Sequence, residues 1–272
     1  MRPKTSGSTA AETHMQEPTR REFNRGLLQS LGTFALLKLI FKTDALAGAV
    51  APVADRWLKG VHEMAGDLRA RRITQVQWQQ MVERLFARVE LKELLRFVDF
   101  ARVAEGMTIP EREAGTERVR LPALDWLPEE RGWGMQIFAL RKGAAVTPHG
   151  HHNMVSMHLV LQGEMRVRHF ERIRDEPQHV VMRPSIDRVS AAGDSTTISD
   201  DRDNIHWLRA LSETAFTLDV VVSRLNPDLG YAQRIVQVDP ARGEKLGGGL
   251  VRARIIGHEE SLAVYSNPSA PL

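Results

Sequence analysis

The hydrophobic periodicity of this chain changes once, near residue 110, and that change limits the fold more than any other feature. Over 54–106 the apolar residues recur at helical spacing. Trp57, Leu58, Val61, Met64, Ala65 and Leu68 form one stripe, and Trp78, Met81, Val82, Leu85, Phe86 and Val89 a second. Leu91, Leu94, Leu95, Val98 and Ala101 form a third. No proline stands between Pro52 and Pro110 to interrupt them. The stripes predict two or three amphipathic helices packed on the outside of the domain that follows. From residue 117 the pattern turns to short runs, at 135–140, 155–161, 165–170, 215–222 and 252–256. Turn signals separate them at Pro148-His149-Gly150, Gly193-Asp194, 200–204, Asn226-Pro227 and Gly247-Gly248-Gly249. Many short strands with regular turns indicate an all-β sandwich or barrel. The expected organisation is a tail and leader over 1–47, a helical extension over 54–106 and a β domain over 117–265.

Composition narrows the chemistry. The 272 residues include ten histidines and no cysteine, which removes disulfides, thiolate zinc sites, iron–sulfur clusters and cysteine nucleophiles together. Any metal must be held by His, Asp or Glu. Residues 1–47 carry seven basic and four acidic side chains, which accounts for the whole net charge of +3. The remaining 225 residues balance at 30 of each sign, so no basic face and no nucleic-acid partner is expected.

The leader has the ordered parts of an export signal: Arg20-Arg21 with Phe23, a mildly apolar run over 27–37, and Ala45-Leu46-Ala47 before Gly48. The apolar run is too short for a stable membrane span, which needs about 20 residues. Paired arginines resemble a twin-arginine signal, the address of proteins exported already folded to the periplasm. Lys38 within the run and Asn24 depart from that pattern. An N-terminal amphipathic helix of a cytoplasmic protein is the other reading.

The stretch from Gly143 to Gly163 is the most informative. It reads Gly143, five residues, His149-Gly150-His151, four residues, Ser156, six residues, Gly163. Residues two apart on a strand face the same side, so His149 and His151 can point together into a barrel and offer ligands to a divalent first-row metal. Two glycines and two histidines in this register resemble the first motif of the cupins, and the resemblance implies a double-stranded β-helix barrel. Ser156 stands where many cupins carry a Glu ligand. Gly193 and His206 are candidates for the second motif, although Asp200-Asp201-Arg202-Asp203 replaces its Pro-x-Gly.

The runs 203–210 and 215–221, together with 137–151 and 163–170, resemble more narrowly the thiol dioxygenases of the cysteamine dioxygenase and plant cysteine oxidase family, over roughly residues 117–240. That resemblance implies that His149, His151 and His206 hold Fe(II). It places Asp219 beside the substrate and Tyr231 near the pocket. His158, two residues beyond Ser156 on the same strand face, is a candidate acid/base or fourth donor, or a hydrogen-bonded barrel residue. His152, His169 and His179 read as surface or edge positions.

Three neutral imidazoles leave the 2+ charge of the ion uncompensated, which favours an anionic, soft donor such as a thiolate. The reaction implied is conversion of a small thiol or N-terminal cysteine to a sulfinate with O2. Two other readings use the same residues: a cupin holding Mn, Ni or Zn that acts on a small carboxylate or sugar acid, and a non-enzymatic ligand-binding barrel.

Overall fold

The computed structural model describes residues 47–121, 124–229 and 235–267. The arginine-bearing leader and Tyr231 lie outside them. Within the unit Ala49–Leu272, helices lead into a mainly β domain with a closed barrel.

The helices are α1 (Ala47–Arg69), α2 (Gln75–Phe86), α3 (Leu91–Phe97) and α4 (Phe100–Gly106). Thr74 and Gln77 form a reciprocal cap at the start of α2, with Gln77 N donating to Thr74 Oγ1 at 3.1 Å and Thr74 N to Gln77 Oε1 at 2.8 Å. The third apolar stripe is divided between two short helices. Asp99 takes a left-handed conformation (φ 50°) and breaks the run after Val98. No helix among the described residues is long and apolar enough to cross a membrane.

Among the described residues eleven strands follow: β1 (Gly115–Arg118), β2 (Trp133–Arg141), β3 (Ala145–Gly150), β4 (Met154–Gln162), β5 (Glu164–Glu176), β6 (His179–Ala191), β7 (Ser195–Ile198), β8 (Ile205–Ala210), β9 (Thr214–Ser223), β10 (Val236–Lys245) and β11 (Val251–Ile255). Helix α5 (His258–Tyr265) closes the described chain. One sheet runs β1-β2-β9-β4-β7. The other, β10-β11-β6-β5-β8-β3, closes on itself through pairing of β3 with β10. All these pairings are antiparallel.

Strand parity explains how the helices and the site share the first sheet. Trp133, Met135, Ile137 and Ala139 of β2, Val155, Met157, Leu159 and Leu161 of β4, and Phe216, Leu218, Val220 and Val222 of β9 form one buried cluster with Trp57, Leu58, Trp78, Val82 and Phe86 of the helices. The alternate residues, Gln136, Ser156, His158, Asp219 and Val221, turn to the other face and line a cavity. Each large apolar side chain so buried stabilises the fold by roughly 1.5–3 kcal/mol. A polar tie joins the layers: buried Gln79 donates to Thr197 Oγ1 (3.2 Å) and accepts from Ser199 Oγ (2.9 Å).

Pro148-His149-Gly150, expected as a turn, instead ends strand β3. Register between β3 and β8 shifts between Val146 and His149, and Pro148, which has no N–H to give a ladder, sits in that irregular stretch.

Candidate metal centre and cavity

His149 and His206 are register partners on β3 and β8, and His169 on β5 is the partner of His206 on its other side. Side chains of register partners share a face, so all three rings stand on the interior of the closed sheet. His151 arrives differently from the expected alternation along a strand, because β3 ends at Gly150. The loop carrying it is fixed by Asn204, whose Nδ2 donates to His151 O (2.8 Å) and Ser199 O (3.0 Å). Gly150 allows this approach: a Cβ there would lie 2.6 Å from Asn204 Oδ1. Asn204 and Gly150 are structural parts of the site that the sequence offered without an assigned role. Their only signal was position, one residue between two histidines and two residues before the third.

The ligand-capable nitrogens of His149, His151 and His206 all lie within 4.8 Å of one another. Their rings are 4.3 Å (149 to 206), 4.5 Å (149 to 151) and 5.4 Å (151 to 206) apart. His149 Nδ1 is 2.7 Å from Thr147 O, and His206 Nδ1 is 3.3 Å from Asn204 O. A carbonyl only accepts, so both Nδ1 atoms carry the proton and both Nε2 atoms present lone pairs inward. Burial drives the titration of all three below the ordinary imidazole value, furthest for His151 and His206, where neighbouring histidines add to the effect. They are therefore neutral at pH 7, the form that binds a metal.

The contact between His149 Nε2 and His151 Nε2 at 2.8 Å tests whether a cation fits. His149 has already committed its proton to Thr147. The contact is a hydrogen bond only if His151 protonates Nε2, and then the buried Nδ1 of His151 is left as a lone pair with no donor, as observed. A divalent cation among three inward lone pairs removes the opposition of the two Nε2 atoms. The donor set fits such an ion.

Ser156 gives the centre no fourth ligand, because its hydroxyl donates to Val220 O (3.3 Å) along the sheet. His158 lies beside the triad, its ring 5.1 Å from His206, and its Nε2 is 3.3 Å from Asp219 Oδ2. Asp219 Oδ1 also accepts from Thr217 Oγ1 at 2.9 Å. Burial lowers His158 to about 3 and raises Asp219 well above the usual carboxylate range. Both shifts disfavour the charged forms, so the 3.3 Å contact between the two residues is not a strong ion pair. Both line a cavity of about 1120 Å³ that also contains the three histidines.

His169 does not lie at the surface. It is fully buried, 6.1 Å from the His206 ring, with no hydrogen-bond partner on either nitrogen among the described residues. Its β5 neighbours Arg166 and Arg168 give the strand a solvent-facing look in sequence, whereas pairing with β8 turns His169 inward. His152 and His179 are half-buried and outside the triad.

Residues 110–228 match the PCO_ADO family model, that of cupin-type thiol dioxygenases. No curated protein matches the chain. Among solved structures, KdgF from Halomonas sp. is 18% identical over 43% of this chain and 83% of its own, with a TM-score of 0.29. A recombinant oxalate oxidase in complex with glycolate is 23% identical, with a TM-score of 0.28. The match covers 35% of this chain and 44% of that one. A Thermus thermophilus protein is 22% identical over 42% of this chain and 86% of its own, with a TM-score of 0.30.

Proposed function

We propose that this protein is a non-haem Fe(II) thiol dioxygenase that converts a thiol to a sulfinate. The carrying observation is the convergence of three neutral imidazoles, two buried and one half-buried, with no carboxylate among them, within the segment that matches the thiol dioxygenase family model. Held by His149, His151 and His206, Fe(II) would supply positions at which a thiol loses its proton and meets O2. The overall change is balanced without a further reductant: R–SH and O2 give R–SO2H, with sulfur losing the four electrons that dioxygen gains.

The surrounding residues have separable tasks. Thr147 and Asn204 hold the proton on Nδ1 of two ligands and so fix the direction of their Nε2 lone pairs. Asp219, on the cavity face of β9, is placed to accept from an amine of the substrate, and Thr217 fixes its orientation. The apolar layer beneath the first sheet keeps bulk water from the floor of the cavity.

Elemental analysis of the protein as purified from cells, followed by thiol-dependent oxygen uptake, tests this reading. Iron near one equivalent, lost in His149→Ala, supports it. Mn, Ni or Zn in place of iron, with no uptake over several thiols, would favour the carboxylate- or sugar-acid-directed reading. A metal-free, fully folded protein would favour a binding barrel. The leader supports a further proposal, export of the folded, metal-loaded chain through the twin-arginine machinery to the periplasm. N-terminal sequencing of the native protein, which should begin at Gly48, checks it.

A further inference from the structure

One register row crosses four of the five strands of the first sheet. Arg118 on β1 pairs with Gln136 on β2, Gln136 with Asp219 on β9, and Asp219 with His158 on β4. Side chains in such a row stand on one face, and all four line the cavity. At about 4.8 Å per strand, the row runs about 14 Å from His158, beside the triad, to Arg118.

The far end of this row is rich in basic side chains. Elsewhere some arginines are ion-paired, such as Arg166 and Arg168 with Asp187 and Arg252 with Glu176, and others, such as Arg141 and Arg188, donate to backbone carbonyls. Around the cavity, three guanidinium groups from three separate elements have no carboxylate in reach among the described residues. Arg69, at the end of α1, donates only to the backbone carbonyls of Gly132 (3.4 Å) and Ser223 (3.2 Å). Arg131, just before β2, stacks on Trp133 at 5.3 Å, and its buried Nε has no hydrogen-bond partner among the described residues. Arg118 is exposed, likewise without an ion pair among them. Of the cavity's acids, Glu113 is 3.5 Å from His258, Asp219 accepts from Thr217 toward the opposite end of the row, and Glu129 and Glu130 are exposed on the loop before β2. An unpaired guanidinium is a fork of donors shaped for a carboxylate.

We infer that the substrate is an elongated thiol that ends in a carboxylate, with its sulfur at the histidine triad and its carboxylate held by Arg118. This rests on the dioxygenase reading for the sulfur end and on the register row for the other. A cavity of about 1120 Å³ is far larger than a free amino-thiol needs, and a molecule that spans the row has the reach of about four extended residues.

Three N-terminal-cysteine tetrapeptides of equal length test it on the full-length, iron-loaded protein: Cys-Gly-Gly-Glu as the free acid, and the Gln and Lys forms as C-terminal amides. The acid should exceed the Lys form at least tenfold in kcat/KM, chiefly through KM. Arg118→Glu should reverse that order, and Arg118→Lys should keep it at reduced amplitude. The S-methylated peptides, titrated calorimetrically into metal-free protein, should bind in the same order without any turnover. Equal use of all three peptides, or an order unchanged in Arg118→Glu while iron and oxygen uptake persist, overturns the inference. Charge-ordered binding without oxygen uptake would leave it standing and remove the dioxygenase reading. Absence of both binding and uptake would remove the two together.

Discussion

Replacing His169 by leucine should make the metal-free protein more stable, and more so in acid. The imidazole is fully buried beside His206 with two unpartnered nitrogens, and burial, aided by the nearby His158 and the Arg188 and Arg202 charges, lowers its pKa from 6.5 to about 3. An unfolded histidine takes up a proton near pH 6.5, whereas the folded one does not until about pH 3. The unfolded state therefore binds more protons over that window, and stability is intact above pH 6.5 and falls as pH drops through it. At one pH unit below the unfolded pKa the penalty from this single residue is about 1.4 kcal/mol. Asp219, whose folded pKa is raised, works in the opposite sense, and His158 in the same sense, so absolute slopes mix several groups. The difference between variant and parent isolates one proton. The leucine side chain would also remove two unsatisfied buried nitrogens, a gain of about 1 kcal/mol or more near neutral pH. Urea unfolding of chelator-treated protein at about pH 7.5 and about pH 5.5, on either side of the unfolded pKa, measures both quantities. A gap between variant and parent that stays constant across these pH values would refute the reasoning, since it would mean that His169 titrates as if solvated.

Other perturbations have simpler readings. Gly163→Ala should destabilise the protein by roughly 1–3 kcal/mol in thermal or urea unfolding, because φ is +79° there and a Cβ would stand 2.6 Å from Thr214 O. Gln79→Leu should cost about 1 kcal/mol, by removing the two side-chain hydrogen bonds between helix and sheet while Thr197 and Ser199 keep their other partners. A metal ion at about a hundred times its Kd should stabilise the wild type by about 2.7 kcal/mol and leave His206→Ala unchanged; equal shifts in both would mean that His206 is not a ligand.

The parts of this molecule readable in advance were those whose cause is local. The spacing of Gly143, His149, His151 and Gly163 was visible because turn geometry and strand alternation act over a few residues, and the apolar stripes over 54–89 fall on buried helix faces for the same reason. The parts not readable depend on distant pairing. His169 lies between Arg168 and Phe170 in a run that suggests an edge, and only the β5–β8 register turns it toward His206. His151 reaches the triad through Asn204, a tie made 53 residues away in sequence, rather than through the alternation that suggested it. The break in the third stripe rests on one backbone conformation, at Asp99, that the apolar spacing does not encode.

Parity in β2, β4 and β9 also decides whether the helices are an appendage. Their cavity faces carry the polar row, so their outer faces are free to be wholly apolar, and twelve residues from Trp133 to Val222 are buried there in one cluster with the helical stripes. At roughly 1.5–3 kcal/mol each, even a fraction of that burial exceeds the net stability of an ordinary domain, about 5–15 kcal/mol. Removing residues 1–107 would expose this face to water, so the barrel should not survive as a soluble monomer: the truncated chain should aggregate or lose its cooperative unfolding transition. Since Arg69 at the end of α1 also lines the cavity, the helices contribute to the site as well as to the core. A truncated barrel that stayed monomeric, bound one equivalent of iron and unfolded cooperatively would show that sheet and helices are independent, and the argument from strand parity would fail.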